Sequence, residues 1–207
     1  MTESIEKKPM AFGFDLDGTI TRKEILPLIA REVNLYDEIS MLTEATIQGI
    51  IPFEKSFRLR CRLLKEVPVS TVSEIVRNVP LDQEVVHFIQ KHPHECFVIS
   101  GNLDVWIAPL IEQLGCRFYT SIAHSEGDTL YGIHTVLNKA DAIQDIKQSY
   151  ERIAVIGEGM NDVAMFELAD TRIAYGGIHP PNSMIIQLSD YVVMNGGGLC
   201  RLLNTLL

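Results

Sequence analysis

Short apolar segments that alternate with helical stretches constrain the fold of this chain most. From about residue 95 onward, runs typical of buried strands are followed by stretches in which apolar residues recur at helical spacing. The predicted strands cover residues 96–99, 153–156, 172–174 and 191–194, and the predicted helices cover residues 105–114, 139–148, 163–168 and 183–188. Strands that alternate with helices form a parallel sheet covered on both faces, so we expect an α/β fold.

The alternation is interrupted after a first apolar strand at residues 10–14. The following stretch predicts only helices, at residues 24–33, 36–48, 53–67 and 71–79. Pro52 suits a helix start, and Thr71 with Glu74 fits a capping box. Residues 121–134 carry Glu-Gly-Asp between two partly alternating segments, which predicts a β-hairpin. We therefore expect a Rossmann-like parallel-sheet core, residues 1–21 and 93–207, with an all-helical insertion at residues 22–92.

Composition excludes several classes of protein. Apolar residues make up 46% of the chain and charged residues 22%, as in ordinary globular proteins. A net charge of −9 opposes binding to nucleic acid, because that binding depends on Lys and Arg that release counterions from phosphates. A small anionic substrate is still compatible with this net charge, because it needs only a few positively charged side chains close to its binding site. The four cysteines show neither CxxC pairing nor close spacing to histidine, so neither a zinc site nor a disulfide framework is predicted.

Targeting signals and membrane segments are not recognised. Residues 1–9 are polar and charged, so no signal peptide is predicted. No apolar run approaches the roughly 18 residues that a membrane span needs. The expected location is the cytoplasm, without a membrane or nucleic-acid partner; the oligomeric state is left open.

Two carboxylates follow the first predicted strand. Asp15 and Asp17 are two positions apart, so their side chains leave the strand on one side and can reach one ligand. Close carboxylates repel unless a cation or a shared proton relieves them, and an oxygen-only pair suits a hard ion such as Mg²⁺. Gly18 lets the backbone turn sharply toward a phosphate. Taken alone, this pattern also fits a solvated turn or part of a calcium loop.

Three further polar groups stand where the predicted elements meet. Ser100, Gly101 and Asn102 follow a strand and offer a hydroxyl and backbone amides at the end of the sheet where ligands bind in open α/β folds. Lys139 opens a helix, which is unfavourable beside the positive end of the helix dipole unless an anion lies nearby; the alternative is an ordinary exposed lysine. The glycine-rich turn at residues 157–162 adds two more carboxylates after another apolar strand.

This order of four motifs resembles the haloacid dehalogenase superfamily. The superfamily combines an Asp-x-Asp strand end, a Ser or Thr strand end, a Lys, and an acidic Gly-Asp turn. The resemblance extends over essentially the whole chain, because the helical insertion falls where the superfamily places a cap domain. It implies an Mg²⁺-dependent phosphatase, since Asp17 is the second acid that the carbon–halogen hydrolases of this fold lack.

Within the superfamily the chain is most similar to the phosphoserine phosphatases. Glu24 lies nine positions after Asp15, where that family has a glutamate that meets the substrate ammonium group. The segment 53–60 matches the family's Phe-Glu-x-Ser-x-Arg-x-Arg pattern, in which the last arginine, here Arg60, binds the substrate carboxylate. The alternatives are a solvated helix charge for Arg60 and a core aromatic for Phe53.

The resemblance assigns a role to each site residue. Asp15 is the nucleophile that forms an aspartyl phosphate, and Asp17 is the general acid and base. The phosphate-binding residues are Ser100, Gly101 and Lys139; the substrate-binding residues are Glu24, Phe53, Arg60, Asn102 and Asn161; the metal-binding residues are Asp15, Asp17, Glu158 and Asp162. Asp17 contributes its backbone carbonyl to the metal, and Asp162 orients the waters of the ion.

Three residues depart from the family pattern. Glu158 stands where most relatives have Asp, Asn102 replaces a common glycine, and Thr46 occupies a cap position that is often methionine. The expected substrate is a small phosphomonoester, such as phosphoserine or a related phospho-amino acid. The alternatives are a non-catalytic protein that binds a phosphorylated ligand and a phosphotransferase that uses an alcohol acceptor.

Overall fold

The parallel sheet that the apolar segments predict is present. A computed structural model describes residues 7–207; residues 1–6, part of the segment in which no signal peptide is predicted, lie outside the described residues. Seven strands in this range form one sheet in the order β4-β3-β2-β1-β5-β6-β7. The strands are β1 Lys8–Phe14, β2 Cys96–Leu103, β3 Arg117–Glu126, β4 Thr129–Thr135, β5 Tyr150–Gly157, β6 Thr171–Tyr175 and β7 Tyr191–Val193. All neighbouring pairs are parallel except β3 and β4, which form the predicted hairpin.

Helices cover the sheet and fill the segment between β1 and β2. They are α1 Ile25–Ala30, α2 Tyr36–Ile47, α3 Phe53–Leu64, α4 Val69–Arg77, α5 Gln83–Lys91, α6 Asp104–Leu114, α7 Lys139–Ser149, α8 Val163–Phe166, α9 Ser183–Leu188 and α10 Gly196–Leu206. Short 3₁₀ turns follow α1 at Arg31–Val33 and precede α8 at Met160–Asp162. Within residues 7–207, every helix is too short or too polar to cross a membrane.

The core lies on both faces of the sheet, as the continuous apolar strands require. Phe12 and Phe14 of β1 belong to a cluster on one face, whereas Ala11, which precedes Phe12, belongs to a cluster on the other face. Side chains alternate between faces along a strand, so β1 is buried from Met10 to Phe14. The strand that carries the Asp15 loop is therefore held by apolar packing on both of its faces.

The start of α4 differs from the prediction. The expected capping box at Thr71 and Glu74 is wrong, because α4 begins at Val69 after Pro68 and Thr71 lies inside it. The free backbone groups of the first turn are bound by Asp128 in the hairpin loop between β3 and β4. Its carbonyl oxygen accepts from the Val69 N–H at 3.0 Å, and its carboxylate accepts from the Ser70 N–H at 2.6 Å. A contact 58 residues away thus replaces the local cap.

Two helices, α5 and α10, were not identified from periodicity, and α5 bears on the domain division. The Phe88 ring on α5 lies 5.4 Å from the Phe12 ring and 6.4 Å from the Phe14 ring, measured between centroids. The division into a core and an insertion at residues 22–92 stays a prediction. Because α5 packs on β1, we propose that the insertion ends before α5 and that α5 belongs to the core.

Candidate active site

The predicted site residues meet at one edge of the sheet. Strand β1 lies between β2 and β5, and all three run parallel, so their carboxyl ends open toward the same side. A cavity of about 50 Å³ lies there, between this edge and helices α2 and α3. Nine predicted residues line it, namely Asp15, Asp17, Glu24, Phe53, Arg60, Gly101, Asn102, Glu158 and Asn161.

Lys139 joins two carboxylates beneath this cavity. Its Nζ atom lies 2.5 Å from Asp15 Oδ1 and 2.6 Å from Asp162 Oδ1, and all three residues are buried. Burial and the charge of Asp162 raise the pKa of Asp15 to about 7, against the opposing effect of Lys139. Burial alone would lower the pKa of Lys139, but the two carboxylates outweigh it and raise that pKa. Lys139 is thus the anion-facing lysine that its position at the start of α7 predicted.

Glu158 adds a third buried carboxylate. Ligand oxygens of Asp15, Glu158 and Asp162 all lie within 4.8 Å of one another. Burial, Asp15 and Asp162 raise the pKa of Glu158 well above its ordinary value. Thr19 Oγ1 donates to Glu158 Oε2 at 2.7 Å, which fixes the longer side chain. Gly18 is required beside it, since its φ is +73° and a Cβ would lie 2.6 Å from Glu158 Oε1.

This acidic cluster fits a hard divalent cation. Its donors are all oxygen, and the three carboxylates are accompanied by one lysine, which contacts two of them, so carboxylates outnumber cations. The three carboxylates differ in how many hydrogen bonds their oxygens already accept. Asp162 Oδ2 accepts from the backbone N–H groups of Glu158 and Gly159 at 2.9 and 3.0 Å, while its Oδ1 faces Lys139. Both oxygens of Asp162 are therefore engaged, which suits an indirect role, whereas Asp15 and Glu158 each keep one oxygen without a hydrogen bond in the described part of the chain.

Asp17 lies in a separate environment. Its carboxylate is not among the three clustered carboxylates; its Oδ1 accepts from the Ile25 N–H at 2.9 Å, and its Oδ2 accepts from the Asn102 side-chain amide. Burial, Glu24 and Asp15 raise the pKa of Asp17 well above its ordinary value. The direct metal contact predicted for Asp17 concerns its backbone carbonyl and stays a prediction.

The other end of the cavity is formed by residues that bear opposite charges. Arg60 on α3 is 4% exposed, donates from Nη1 to Thr43 Oγ1 at 2.9 Å, and leaves Nε without a hydrogen-bond partner in the described part of the chain. Burial lowers the pKa of Arg60. Glu24 likewise keeps a buried Oε1 without a hydrogen bond to residues 7–207, although His179 Nε2 lies 3.4 Å from it.

Phe53 closes the cavity against the backbone of Gly101. A Cβ on Gly101 would lie 2.1 Å from Phe53 Cζ, so only glycine permits this approach. Phe53 is stacked on Phe57 with ring centroids 5.3 Å apart, which places it at the junction of core and cavity. The two interpretations of Phe53, as core aromatic and as substrate-facing residue, are both compatible with this position.

Ser100 is one of three predicted residues that do not line the cavity. It is buried, it does not line the cavity, and its Oγ accepts from the Asn102 backbone N–H at 3.1 Å. Lys139 and Asp162 also lie outside the cavity lining and connect to it through Asp15.

Sequence reasoning missed three residues of the site. Thr19 holds Glu158, Thr43 holds Arg60, and His179 lies against Glu24. Thr19 directly follows the Asp-x-Asp-Gly motif, so its position was a usable signal. No local pattern identifies Thr43 or His179, because their partners lie 17 and 155 residues away in the chain.

Comparisons with known proteins agree with this geometry. Residues 12–167 match the family model described as haloacid dehalogenase-like hydrolase. The phosphoserine phosphatase of Methanocaldococcus jannaschii is 27% identical over 184 residues, which cover 83% of this chain and 87% of that protein. The phosphoserine phosphatase of Archaeoglobus fulgidus is 30% identical over 78% of this chain, which spans 51% of that longer protein.

Solved structures show the same architecture. A phospho-aspartyl intermediate analogue of phosphoserine phosphatase superposes with a TM-score of 0.80 at 22% identity, covering 97% of this chain and 99% of that one. The phosphoserine phosphatase from T. onnurineus superposes with a TM-score of 0.74 at 26% identity, covering 98% and 96% of the two chains.

Proposed function

Because the chain belongs to the haloacid dehalogenase-like hydrolase family, we propose that it is a phosphomonoester hydrolase in which Asp15 is the nucleophile, and that its substrate is a small phosphorylated amino acid such as phosphoserine. The observation that carries this proposal is the Asp15 carboxylate. It lines the cavity at the end of a central strand, bound by Lys139 and beside two further carboxylates. A covalent nucleophile needs this combination of access and charge control.

The first step transfers the phosphoryl group to Asp15. A carboxylate oxygen of Asp15 bonds to phosphorus while the bond from phosphorus to the leaving oxygen breaks. Lys139 and the Ser100 and Gly101 edge of β2 are the proposed donors to the phosphoryl oxygens, where preorganised donors act mainly on the transition state. Lys139 already bonds Asp15 at 2.5 Å, so the nucleophile and this cation are held together before substrate arrives.

The proposed cofactor is Mg²⁺. Asp15 and Glu158 would hold it directly with the backbone carbonyl of Asp17, and Asp162 would act indirectly, since its own oxygens are engaged by Lys139 and two backbone amides. A bound Mg²⁺ ion would offset the repulsion between an anionic nucleophile and an anionic phosphate. Glu158 is one methylene longer than the usual aspartate, and Thr19 holds it in place.

Asp17 is the proposed general acid and base. Its raised pKa, caused chiefly by burial and Glu24, favours the protonated form that a general acid needs. That proton goes to the leaving alkoxide. Asp17 then takes a proton from the water that attacks the aspartyl phosphate, which releases phosphate and restores Asp15.

The substrate class rests on two unpartnered buried atoms. Arg60 Nε is a donor without a hydrogen-bond acceptor, and Glu24 Oε1 is an acceptor without a hydrogen-bond donor, within residues 7–207. Both residues line a cavity of about 50 Å³, which suits a leaving group no larger than an amino acid. A carboxylate on the substrate would meet Arg60, and an ammonium group would meet Glu24. Helices α2 and α3 would cover the bound substrate and exclude water.

Phosphate release from three compounds tests this proposal. Purified protein with Mg²⁺ is assayed on phosphoserine, on ethanolamine phosphate, which lacks the carboxylate, and on an aryl phosphate. We expect at least about a 30-fold higher kcat/KM for phosphoserine than for ethanolamine phosphate, because leaving a buried charge unpaired costs about 2–5 kcal/mol.

Two arginines on one helix provide the matched variants. Arg60→Ala should erase the preference, whereas Arg58→Ala should leave it unchanged, because Arg58 is exposed and pairs with Glu54 on the surface. Equal turnover of both substrates by the wild type contradicts the amino-acid part of the proposal. Absence of turnover on all three compounds contradicts the hydrolase itself and favours a protein that only binds.

A further inference from the structure

Asn102 is turned toward the cavity by an irregularity in the sheet. Ser100 pairs with Thr120 of β3 and Leu103 pairs with Ser121, so Gly101 and Asn102 form a bulge between them. Ser121 Oγ donates to the Gly101 carbonyl oxygen at 2.7 Å and braces the bulge from the neighbouring strand. Bulges beside active sites commonly re-aim one side chain. Here the re-aimed side chain is an amide.

The amide of Asn102 is only half satisfied. Asn102 is 5% exposed, and its Nδ2 donates to Asp17 Oδ2. The structure places the N–H end of the amide against Asp17 Oδ2, so the amide oxygen faces away from Asp17. That oxygen, Oδ1, is buried and has no hydrogen-bond partner among residues 7–207. Buried acceptors without partners are rare and costly, so a ligand that supplies the missing donor is the natural explanation.

We infer that Asn102 Oδ1 accepts a hydrogen bond from an ammonium group on the leaving group. Asn102 thereby contributes to substrate specificity, while the N–H end of its amide positions Asp17. The inference rests on the proposed hydrolase function and deepens it. Glu24 Oε1 is a second unpartnered acceptor at the same cavity. A hydroxyl has one proton and satisfies one acceptor, whereas an ammonium group has three N–H donors and satisfies both.

Pairs of substrates that differ only in the ammonium group isolate this contact. The pairs are phosphoserine with 3-phosphooxypropanoate, and ethanolamine phosphate with ethyl phosphate. We compare kcat and KM for wild type, Asn102→Ala, Asn102→Asp and the control Asn204→Ala, which changes an exposed residue on α10. The fluorescence of Trp106, the single tryptophan, which is buried on α6, checks that each variant is folded.

The two proposed roles of Asn102, binding the ammonium group and positioning Asp17, affect different measured quantities. Asn102→Ala should lower the preference for the ammonium member of each pair by about tenfold or more, since a hydrogen bond from a charged donor is lost. Asn102→Asp keeps an acceptor toward the cavity but replaces the N–H donor beside Asp17 with a second carboxylate. It should keep the ammonium preference and lower kcat on both members. Asn204→Ala should match wild type in both respects.

Two results overturn the inference alone. The first is a folded Asn102→Ala variant whose ammonium preference stays within about twofold of wild type, which would leave Asn102 with a purely structural or Asp17-positioning role. The second is a wild type that hydrolyses the compounds without preferring the ammonium member, which refutes the inference while the hydrolase proposal stands. Failure to hydrolyse any of them or an aryl phosphate refutes the hydrolase proposal and this inference together.

Discussion

Replacement of Lys139 by methionine should destabilise the folded protein severely in the absence of metal. Lys139 Nζ bonds Asp15 at 2.5 Å and Asp162 at 2.6 Å, and the three side chains are 0–6% exposed. Removing one partner of a buried ion pair typically costs about 3–5 kcal/mol, because the remaining charges are buried and uncompensated. That is a large part of the total free energy of unfolding of an ordinary domain, about 5–15 kcal/mol.

The loss should depend on pH. Without Lys139 the pKa of Asp15 rises further, so this carboxylate can escape the penalty by taking up a proton. A carboxyl group whose folded pKa is raised destabilises the fold above its unfolded pKa and stops doing so once it is protonated in both states. The deficit of Lys139→Met should therefore be small near pH 5 and should grow as the pH rises through about 7, the raised pKa of Asp15 in the wild type.

Urea denaturation with EDTA, followed by Trp106 fluorescence, measures both effects. The control is Lys147→Met, which removes another lysine from α7 whose ion pair with Asp170 at 3.2 Å is partly exposed. We expect that control to lose less than about 1 kcal/mol at any pH. A loss below about 1 kcal/mol for Lys139→Met near pH 8 would refute the reasoning, because the buried lysine would then not compensate the carboxylates.

Three further variants test other contacts. Gly101→Ala should lower kcat/KM by at least about tenfold and destabilise the fold by about 1–3 kcal/mol, because its Cβ would lie 2.1 Å from Phe53 Cζ; unchanged kinetics would show that Phe53 moves freely. Glu158→Asp should change the activity titrations with Mg²⁺ and Mn²⁺ without abolishing turnover; curves that overlay the wild type would mean that Glu158 is not a ligand. His179→Gln should cost under about 1 kcal/mol, more near pH 5.5 than near pH 8.5. The Glu24 carboxylate, 3.4 Å from Nε2, raises the pKa of His179, so the ion pair stabilises the fold in acid and its contribution fades as the pH rises through that pKa; equal losses at both pH values would contradict the pairing.

The central part of the site could be predicted because it depends on strand order and local motifs. Carboxyl ends of parallel strands share one edge, so Asp15, Asn102 and Glu158 were expected together before any contact was known. The position of Lys139 at the start of α7 also predicted an anion close to its side chain. Its unfavourable position beside the helix dipole required an anion, and Asp15 and Asp162 provide two.

What could not be predicted depends on contacts between distant residues. Asp128 caps α4 from 58 residues away, and nothing in the segment around Thr71 reveals it. The bulge at Gly101 and Asn102 exists only in the pairing of β2 with β3, so a single strand carries no sign of it. His179 reaches Glu24 through the loop after β6, whose path depends on the whole sheet.

The nucleophile assignment is the central claim, and Asp15→Asn is its simplest perturbation. Loss of a covalent nucleophile should lower kcat by at least about 10³-fold while the fold is kept. A more direct measurement locates the phosphoryl group itself. In Asp17→Asn the second step lacks its base, and an aryl phosphate needs little help from a general acid to leave, so the covalent intermediate should accumulate.

Asp17→Asn is mixed with an aryl phosphate and Mg²⁺, quenched within the first turnover, and digested for peptide mass spectrometry. We predict a burst of about one aryl alcohol per chain and a phosphoryl group on the peptide that contains Asp15, neither of which appears when Asp15→Asn is added to the same variant. A phosphoryl group on another residue contradicts the account, as does a wild type that turns over substrate while its Asp15→Asn variant keeps activity within tenfold.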